Sequence, residues 1–471
     1  MVPLIISILL IGAAVIWLLG RVTRAAGLTD AAGQAIALTI ISIGAVLAAS
    51  ERWSELLGAR ESAEQVLTLA REIGLTGLFF IAGVRVRLDE LRASLRVSMA
   101  VATPVLLLFG IAALALSVAA GADWSAAPVI AACFTASSIW LPSHLAGEAG
   151  DKQSGVSGSA MAAAPVLAAG SMLAIHLLGA FHAVPARVGS RWVYAIVAAY
   201  EIVKVAVFFS FALFVATRFI AGAAKTSARV SDVRVATGYL LMAVLLFALG
   251  RALVGELGAL AWSFIAGAVF ARSEIGKRMT GYRPAAGGVF LSLAFLPMFL
   301  DPHGRAVTRL PMLLGAIIAA LIVKFALSAM AARIAGCSTQ DARLAAASTL
   351  APGEVAAALL AFALTRWPIG GPAYFAVLIF ALLSMISAPF AWKSARREGR
   401  NETEHLGVDG AQPERKSRRG GKAGRASNKK ATLYVMTAAA ALLSLSGTAL
   451  SQAASQSAPD DPPARAIRIV E

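Results

Sequence analysis

The sequence predicts an all-α polytopic membrane protein of about thirteen spanning helices before residue 394, with one further apolar segment near the C-terminus. Three observations carry that expectation. Of 471 residues, 58% are hydrophobic and only 14% are charged, more apolar material than a soluble core can enclose, so much of it must face lipid. The apolar residues fall into runs of spanning length, and the basic residues alternate between rich and poor loops as the positive-inside rule requires.

The runs follow one another from the N-terminus. The first two are "LIISILLIGAAVIWLLG" (4–20) and "AIALTIISIGAVLAA" (35–49). The third, "LAREIGLTGLFFIAGV" (69–84), leads through a charged loop to "VATPVLLLFGIAALALSVAA" (101–120). The fifth is "APVIAACFTASSIWLP" (127–142), the sixth "GSAMAAAPVLAAGSMLAIHLLGA" (158–180) and the seventh "VYAIVAAYEIVKVAVFFSFALFVA" (193–216). Three shorter runs come next, at 238–250, 259–271 and 287–300. The last three are "MLLGAIIAALIVKFALSAMAA" (312–332), "LAAASTLAPGEVAAALLAFAL" (344–364) and "AYFAVLIFALLSMISAPFAW" (373–392).

The loops fix the orientation. Arg21 and Arg24, then Arg85, Arg87, Arg92 and Arg96, then Lys152, then Arg218, Lys225, Arg229 and Arg234, then Arg272, Lys277, Arg278 and Arg283, then Arg333 and Arg343, then Lys393, Arg396 and Arg397 lie in alternate loops, and the intervening loops, with Arg52 and Arg60, Arg187 and Arg191, Arg305 and Arg309, and Arg366, are poorer as a set. The rich set is expected in the cytoplasm, which puts the N-terminus outside and, with an odd number of spans, residue 394 inside. "MVPLIISILL" has no basic leader, so it reads as a first span and not as a cleaved signal. The same topology accounts for the net charge of +16, and no nucleic-acid partner is called for. Cys133 and Cys337 lie far apart with no metal-like spacing and are expected as free thiols.

Beyond the transmembrane domain, residues 1–393, the composition changes. Residues 394–430 are charged, Gly-rich and basic, as expected of a disordered cytoplasmic linker. Residues 431–453 have the basic flank, apolar stretch and small-residue end of either a secretory signal or an uncleaved anchor, and 454–471 form a short exported tail.

Two of the thirteen runs are interrupted by polar residues and proline: one by Thr135, Ser137, Ser138 and Pro142, the other by Thr349, Pro352, Gly353 and Glu354. Freed backbone groups are costly in lipid, so such breaks must be enclosed by protein or line a cavity, and paired breaks in corresponding halves point to a substrate site at the midplane. Intramembrane charges sharpen the reading, because each is expensive there. Lys324 and Glu354 lie deep in apolar runs. Glu201 and Lys204 are three apart and form a local pair, Arg71 with Glu72 and Arg251 with Glu256 stand at span ends, Asp301 and His303 mark an outer loop, and His176 is the only titratable group of the sixth run.

The ordered set "GLFFIAGVRVRLDELRAS", "FTASSIWLPSHL", "FIAGAVFARSE", "LIVKFALSAM" and "LAPGEVAAALLAF" resembles the monovalent cation:proton antiporter family across roughly residues 1–393. The resemblance implies inverted repeats, two broken helices, a scaffold beside a mobile ion-carrying core, and a homodimer in a membrane, expected to be the bacterial inner membrane. It implies an ion site at Thr135, Ser137, Ser138, Lys324 and Glu354, with a lysine that neutralises helix ends or pairs with an acid. It implies a monovalent cation and a proton as partners, and no cofactor.

One departure bears on mechanism. The family's ion-binding aspartate should fall near Ala164, Pro165 or Val166, where the sequence reads "AAAPV". A cation and a proton compete for one place only where a carboxylate can hold either, and neither Ala164 nor Pro165 can do so. Three readings follow. The chain is a sodium or potassium:proton antiporter with Glu354 titrating, a same-fold transporter of an anion or organic solute drawn by Lys324, or a non-transporting membrane sensor or scaffold. No phosphate-binding Gly-rich loop, nucleophile triad or metal cluster is present in the sequence, so an enzyme or an ATP-driven pump is not expected.

Overall fold

The fold is that of a computed structural model, which describes residues 60–86, 88–119, 122–148, 162–184, 191–226, 255–271, 283–300 and 310–405, with short pieces between 7 and 41 and around 248–251. Every regular element among these residues is helical. Among the described residues, seven helices are long and apolar enough to cross a membrane. Ten of the seventeen residues of the first run are described, and they are helical, whereas the second run, the eighth, Asp301 with His303, and the segments 431–453 and 454–471 lie wholly or mostly outside the described residues.

In chain order, α1 spans Arg60–Arg85 and α2 spans Leu88–Pro104. A π-helical turn, Val105–Phe109, then leads into α3, Gly110–Ala119. The sequence begins this span at residue 101, whereas the helix starts at Leu88. Its first turns carry Asp89, Glu90 and Arg92, which form helix well but do not read as membrane. Pro104 lies within the continuous path. Proline removes an N–H and crowds the carbonyl one turn back, and the wider turn that follows absorbs that mismatch.

The fifth run is two helices, α4 (Ala127–Thr135) and α5 (Trp140–Glu148). The sixth is α6, Ala163–His182. Pro165, which lacks an N–H, stands in its first turn, where that N–H would have no partner in the helix. Next comes α7, Arg191–Thr226, followed by α8 (Glu256–Phe270) and α9 (Arg283–Leu300). The lysine helix is α10, Leu310–Ile334. The twelfth run is again split, into α11 (Thr339–Leu350) and α12 (Gly353–Leu364). The last helix, α13, runs from Gly371 to His405, so the segment expected as disordered from 394 is helical at its start. The rest of 394–430 lies outside the described residues.

Two groups of helices pack side by side. One is α1 with α8 and α9; the other gathers α2, α4, α6, α10, α11, α12 and α13, and α12 touches both. The first group closes on glycine. A Cβ on Gly83 would run into the Phe264 carbonyl, and one on Gly267 into the Phe80 carbonyl, so each helix places a bare backbone against the other's. Between the groups, the buried Tyr374 hydroxyl of α13 donates 2.6 Å to the Met298 carbonyl of α9.

The broken helices occupy the centre of the second group. Of the central stretch of each, 94% is buried, against 22% for the lysine helix α10. The free backbone groups at the breaks are thus enclosed by protein, as a bilayer demands.

The glycine contact predicts that Gly267→Ala costs about 1–3 kcal/mol through overpacking. Thermal unfolding in detergent should show a lower midpoint than wild type. A midpoint unchanged or raised would mean that α1 and α8 do not meet this closely.

Candidate functional site

Each break leaves a helix C-terminus with free carbonyls and a helix N-terminus with free N–H groups, which carry partial negative and positive charge respectively. At the first break, α4 ends at Thr135 and α5 begins at Trp140, with residues 136–139 outside either helix. At the second, Ala351 and Pro352 separate α11 from α12. The two breaks are joined directly. Ser138 N–H donates to the Ala351 carbonyl at 2.5 Å, and the Ser137 hydroxyl donates to the Ser348 carbonyl at 3.3 Å.

Gly353 makes that approach possible. Its φ is +45°, a backbone conformation that L side chains rarely adopt, and a Cβ there would stand 2.9 Å from the Ser138 Cβ. The sequence "APGEV" therefore places Pro352 before the helix, glycine at the turn and Glu354 in the first turn of α12.

Glu354 is fully buried and points across to the other break. One carboxylate oxygen accepts from the Ile139 and Trp140 N–H groups at 2.7 and 2.8 Å; the other accepts from the Ser138 hydroxyl at 2.5 Å. The same hydroxyl oxygen accepts from Leu141 N–H at 3.0 Å. These donors are the free N–H groups at the start of α5, so Glu354 caps a half-helix that lies more than two hundred residues earlier in the chain.

Lys324 does the converse. Its ammonium, also fully buried, donates to the Phe134 carbonyl at 3.1 Å and the Ala136 carbonyl at 2.6 Å, the negative end of α4. The rings of Phe109 and Phe380 face it, each 5.7 Å away. Among the described residues no ion pair joins Lys324 to Glu354. They hold opposite ends of the same break.

All five residues expected at the ion site are brought together here. The Thr135 hydroxyl donates to the Ala131 carbonyl at 2.8 Å within its own helix, while Ser137 and Ser138 bridge the breaks. The stretch where the resemblance led an acid to be expected lies in the first turn of α6, with Ala164 fully buried and Pro165 half-buried. The small residues there allow close packing on the neighbouring helices.

A matching family adds to this geometry. The sequence profile described as "Sodium/hydrogen exchanger, transmembrane" matches residues 54–393. This chain belongs to the sodium/hydrogen exchanger family. No curated protein matches the sequence. Among solved structures, the fold is similar to the sodium proton antiporter MjNhaP1 from Methanocaldococcus jannaschii at pH 8. The TM-score is 0.58 at 14% identity, covering 84% of this chain and 98% of that one. The fold and family are those of secondary transporters.

Other contacts of this exchanger-family chain were not legible in its sequence. Glu72 of α1 and Arg251 form a two-pronged ion pair at 2.9 and 3.2 Å. Both line a cleft with Glu256, Ala358 and Ala361, between α1, α8 and α12. Arg85 at the end of α1 meets the His144 Nδ1 of α5 at 2.6 Å. Glu201 and Lys204 form the expected pair at 3.4 Å, but the Glu201 oxygen also meets His176 Nε2 of α6 at 3.2 Å. Sequence spacing signalled only the first of these two contacts.

The site predicts that Lys324→Met, which strips two carbonyls of a charged donor, costs about 3 kcal/mol of stability. Thermal unfolding of the purified protein measures it. A variant as stable as wild type would show that the ammonium does not hold the α4 end.

Proposed function

We propose that the chain is a secondary transporter that exchanges a monovalent cation, sodium or potassium, for a proton. The observation that carries this reading is the doubly capped crossing: two broken helices buried in protein, with Lys324 on one free end and Glu354 on the other. Such a crossing places backbone and hydroxyl oxygens at membrane depth with their charges already balanced. That is useful to a protein that passes an ion and of little use to an inert scaffold.

Lys324 and Glu354 hold this crossing, and the oxygens of Thr135, Ser137 and Ser138 form the polar surface beside it. The Glu354 carboxylate is committed to this crossing, since it meets the Ile139 and Trp140 N–H groups and the Ser138 hydroxyl. The anion reading is disfavoured, because the Lys324 ammonium already lies against two carbonyl oxygens. By loop charge the N-terminus is outside and residues 394–430 are cytoplasmic, and by family likeness the chain works as a homodimer in the inner membrane.

The test is proton movement in liposomes that carry the full chain and an imposed pH gradient, followed with a fluorescent dye. Adding sodium or potassium should collapse the gradient faster than in empty liposomes. No response to sodium, potassium or lithium from folded, inserted protein would overturn the reading, as would collapse that follows the anion and not the cation.

A further inference from the structure

Cation:proton exchange needs a buried carboxylate that can release one ligand for another. The family's position for it is alanine and proline here, and the Glu354 oxygens are taken by the start of α5. The described residues contain one other fully buried carboxylate, Glu201 of α7.

Glu201 is unlike Glu354 in its surroundings. Its Oε2 is shared by His176 Nε2 at 3.2 Å and Lys204 Nζ at 3.4 Å, while its Oε1 is buried with no hydrogen-bond partner among the described residues. An unsatisfied carboxylate oxygen inside a membrane protein is expensive, and each such group calls for an explanation. A bound proton or a small cation supplies the missing partner. His176 belongs to the helix that has lost its acid. It lies eleven residues beyond Pro165, about three turns or roughly 16 Å along nearly the same face of α6. Lys204 is partly exposed at 17%, with its ammonium 5.7 Å from the ring of the exposed Tyr200, so the cluster extends from the core toward the helix surface.

Among the residues whose side chains are described, the charged groups on neighbouring helices do not compete for this place. α6 packs on α2, α4, α7, α11 and α12, and α7 also packs on α8. On these helices Arg96, His182, Arg218 and Arg343 are exposed, and Asp341 and Glu256 are half-buried in the first turns of α11 and α8. Glu354 is the other buried one, and it is committed to α5.

We propose that Glu201, positioned by His176 and Lys204, is the carboxylate that binds a proton or a small monovalent cation in turn, taking the place of the acid lost from α6. The proton leaves the Glu201 oxygen as the cation arrives and returns as it departs, so the net charge of the carboxyl group together with its bound proton or cation stays the same. This rests on the exchange activity proposed above, and the site can be tested with or without that activity.

The experiment adds sodium, potassium or lithium to the full-length protein in weakly buffered detergent and follows both proton release and the carboxyl bands of the infrared difference spectrum. Wild type should release protons on addition of at least one cation, with loss of a protonated-carboxyl band. Glu201→Gln should abolish both while unfolding at a similar temperature. His176→Gln, which leaves the carboxylate in place, should keep the release but move the pH at which it is half complete, and this variant decides the matter if Glu201→Gln does not fold. In liposomes Glu201→Gln should slow exchange about tenfold or more. Proton release and the carboxyl band persisting in Glu201→Gln would overturn the proposal, as would the absence of any cation-driven release from wild type. Exchange that survives Glu201→Gln sinks this site and spares the exchange reading. Release at Glu201 without exchange in liposomes does the reverse.

Discussion

The structure depends on the neutralisation of broken helix ends inside a bilayer. An interrupted helix at membrane depth exposes carbonyls at one end and N–H groups at the other, and lipid satisfies neither. Here each end meets a full charge of opposite sign. The Lys324 ammonium lies on the Phe134 and Ala136 carbonyls, and the Glu354 carboxylate on the Ile139 and Trp140 N–H groups. Each charge is in turn spared an uncompensated burial, since its counter-charge is the end of a helix rather than a second side chain. The enclosure of both broken helices, the left-handed glycine at 353 and the serine bridge from Ser138 to Ala351 all serve that arrangement.

Much of this was legible in the sequence. Thr135, Ser137, Ser138 and Pro352 interrupt otherwise apolar runs, and Lys324 and Glu354 are too costly in such runs to be incidental, so the breaks and their charges could be placed. What each charge touches could not. The partner of Lys324 is the backbone of another helix, and backbone carbonyls have no signature in the sequence. The register of α10 against α4 decides which ones it meets. His176 and Glu201 escaped for a similar reason: each has a local explanation within its own helix, and their meeting depends on how α6 packs on α7. The helix boundaries erred where apolarity and helix propensity part company. α2 begins among the charges before its apolar run, and α13 continues through Lys393, Arg396 and Arg397 after its own has ended.

The absent acid changes how the remaining charges are read. In a chain with its carboxylate on α6, Glu354 and Lys324 would share the membrane core with a third charge. In this one they hold the two ends of the first break, and among the described residues the buried acid with an unsatisfied oxygen lies on α7. The family's helical frame is thus kept, with its central crossing balanced, while the place proposed for a proton to come and go lies at a neighbouring interface. That separation between the parts that hold the fold and the part that titrates is the main claim of this account.

The most direct test of it is exchange by Glu354→Gln in liposomes, measured per correctly inserted protein alongside thermal unfolding. The account predicts a less stable protein that still exchanges cations for protons at close to the wild-type rate. A variant as stable as wild type that no longer exchanges would contradict it, and would make Glu354 the titrating group.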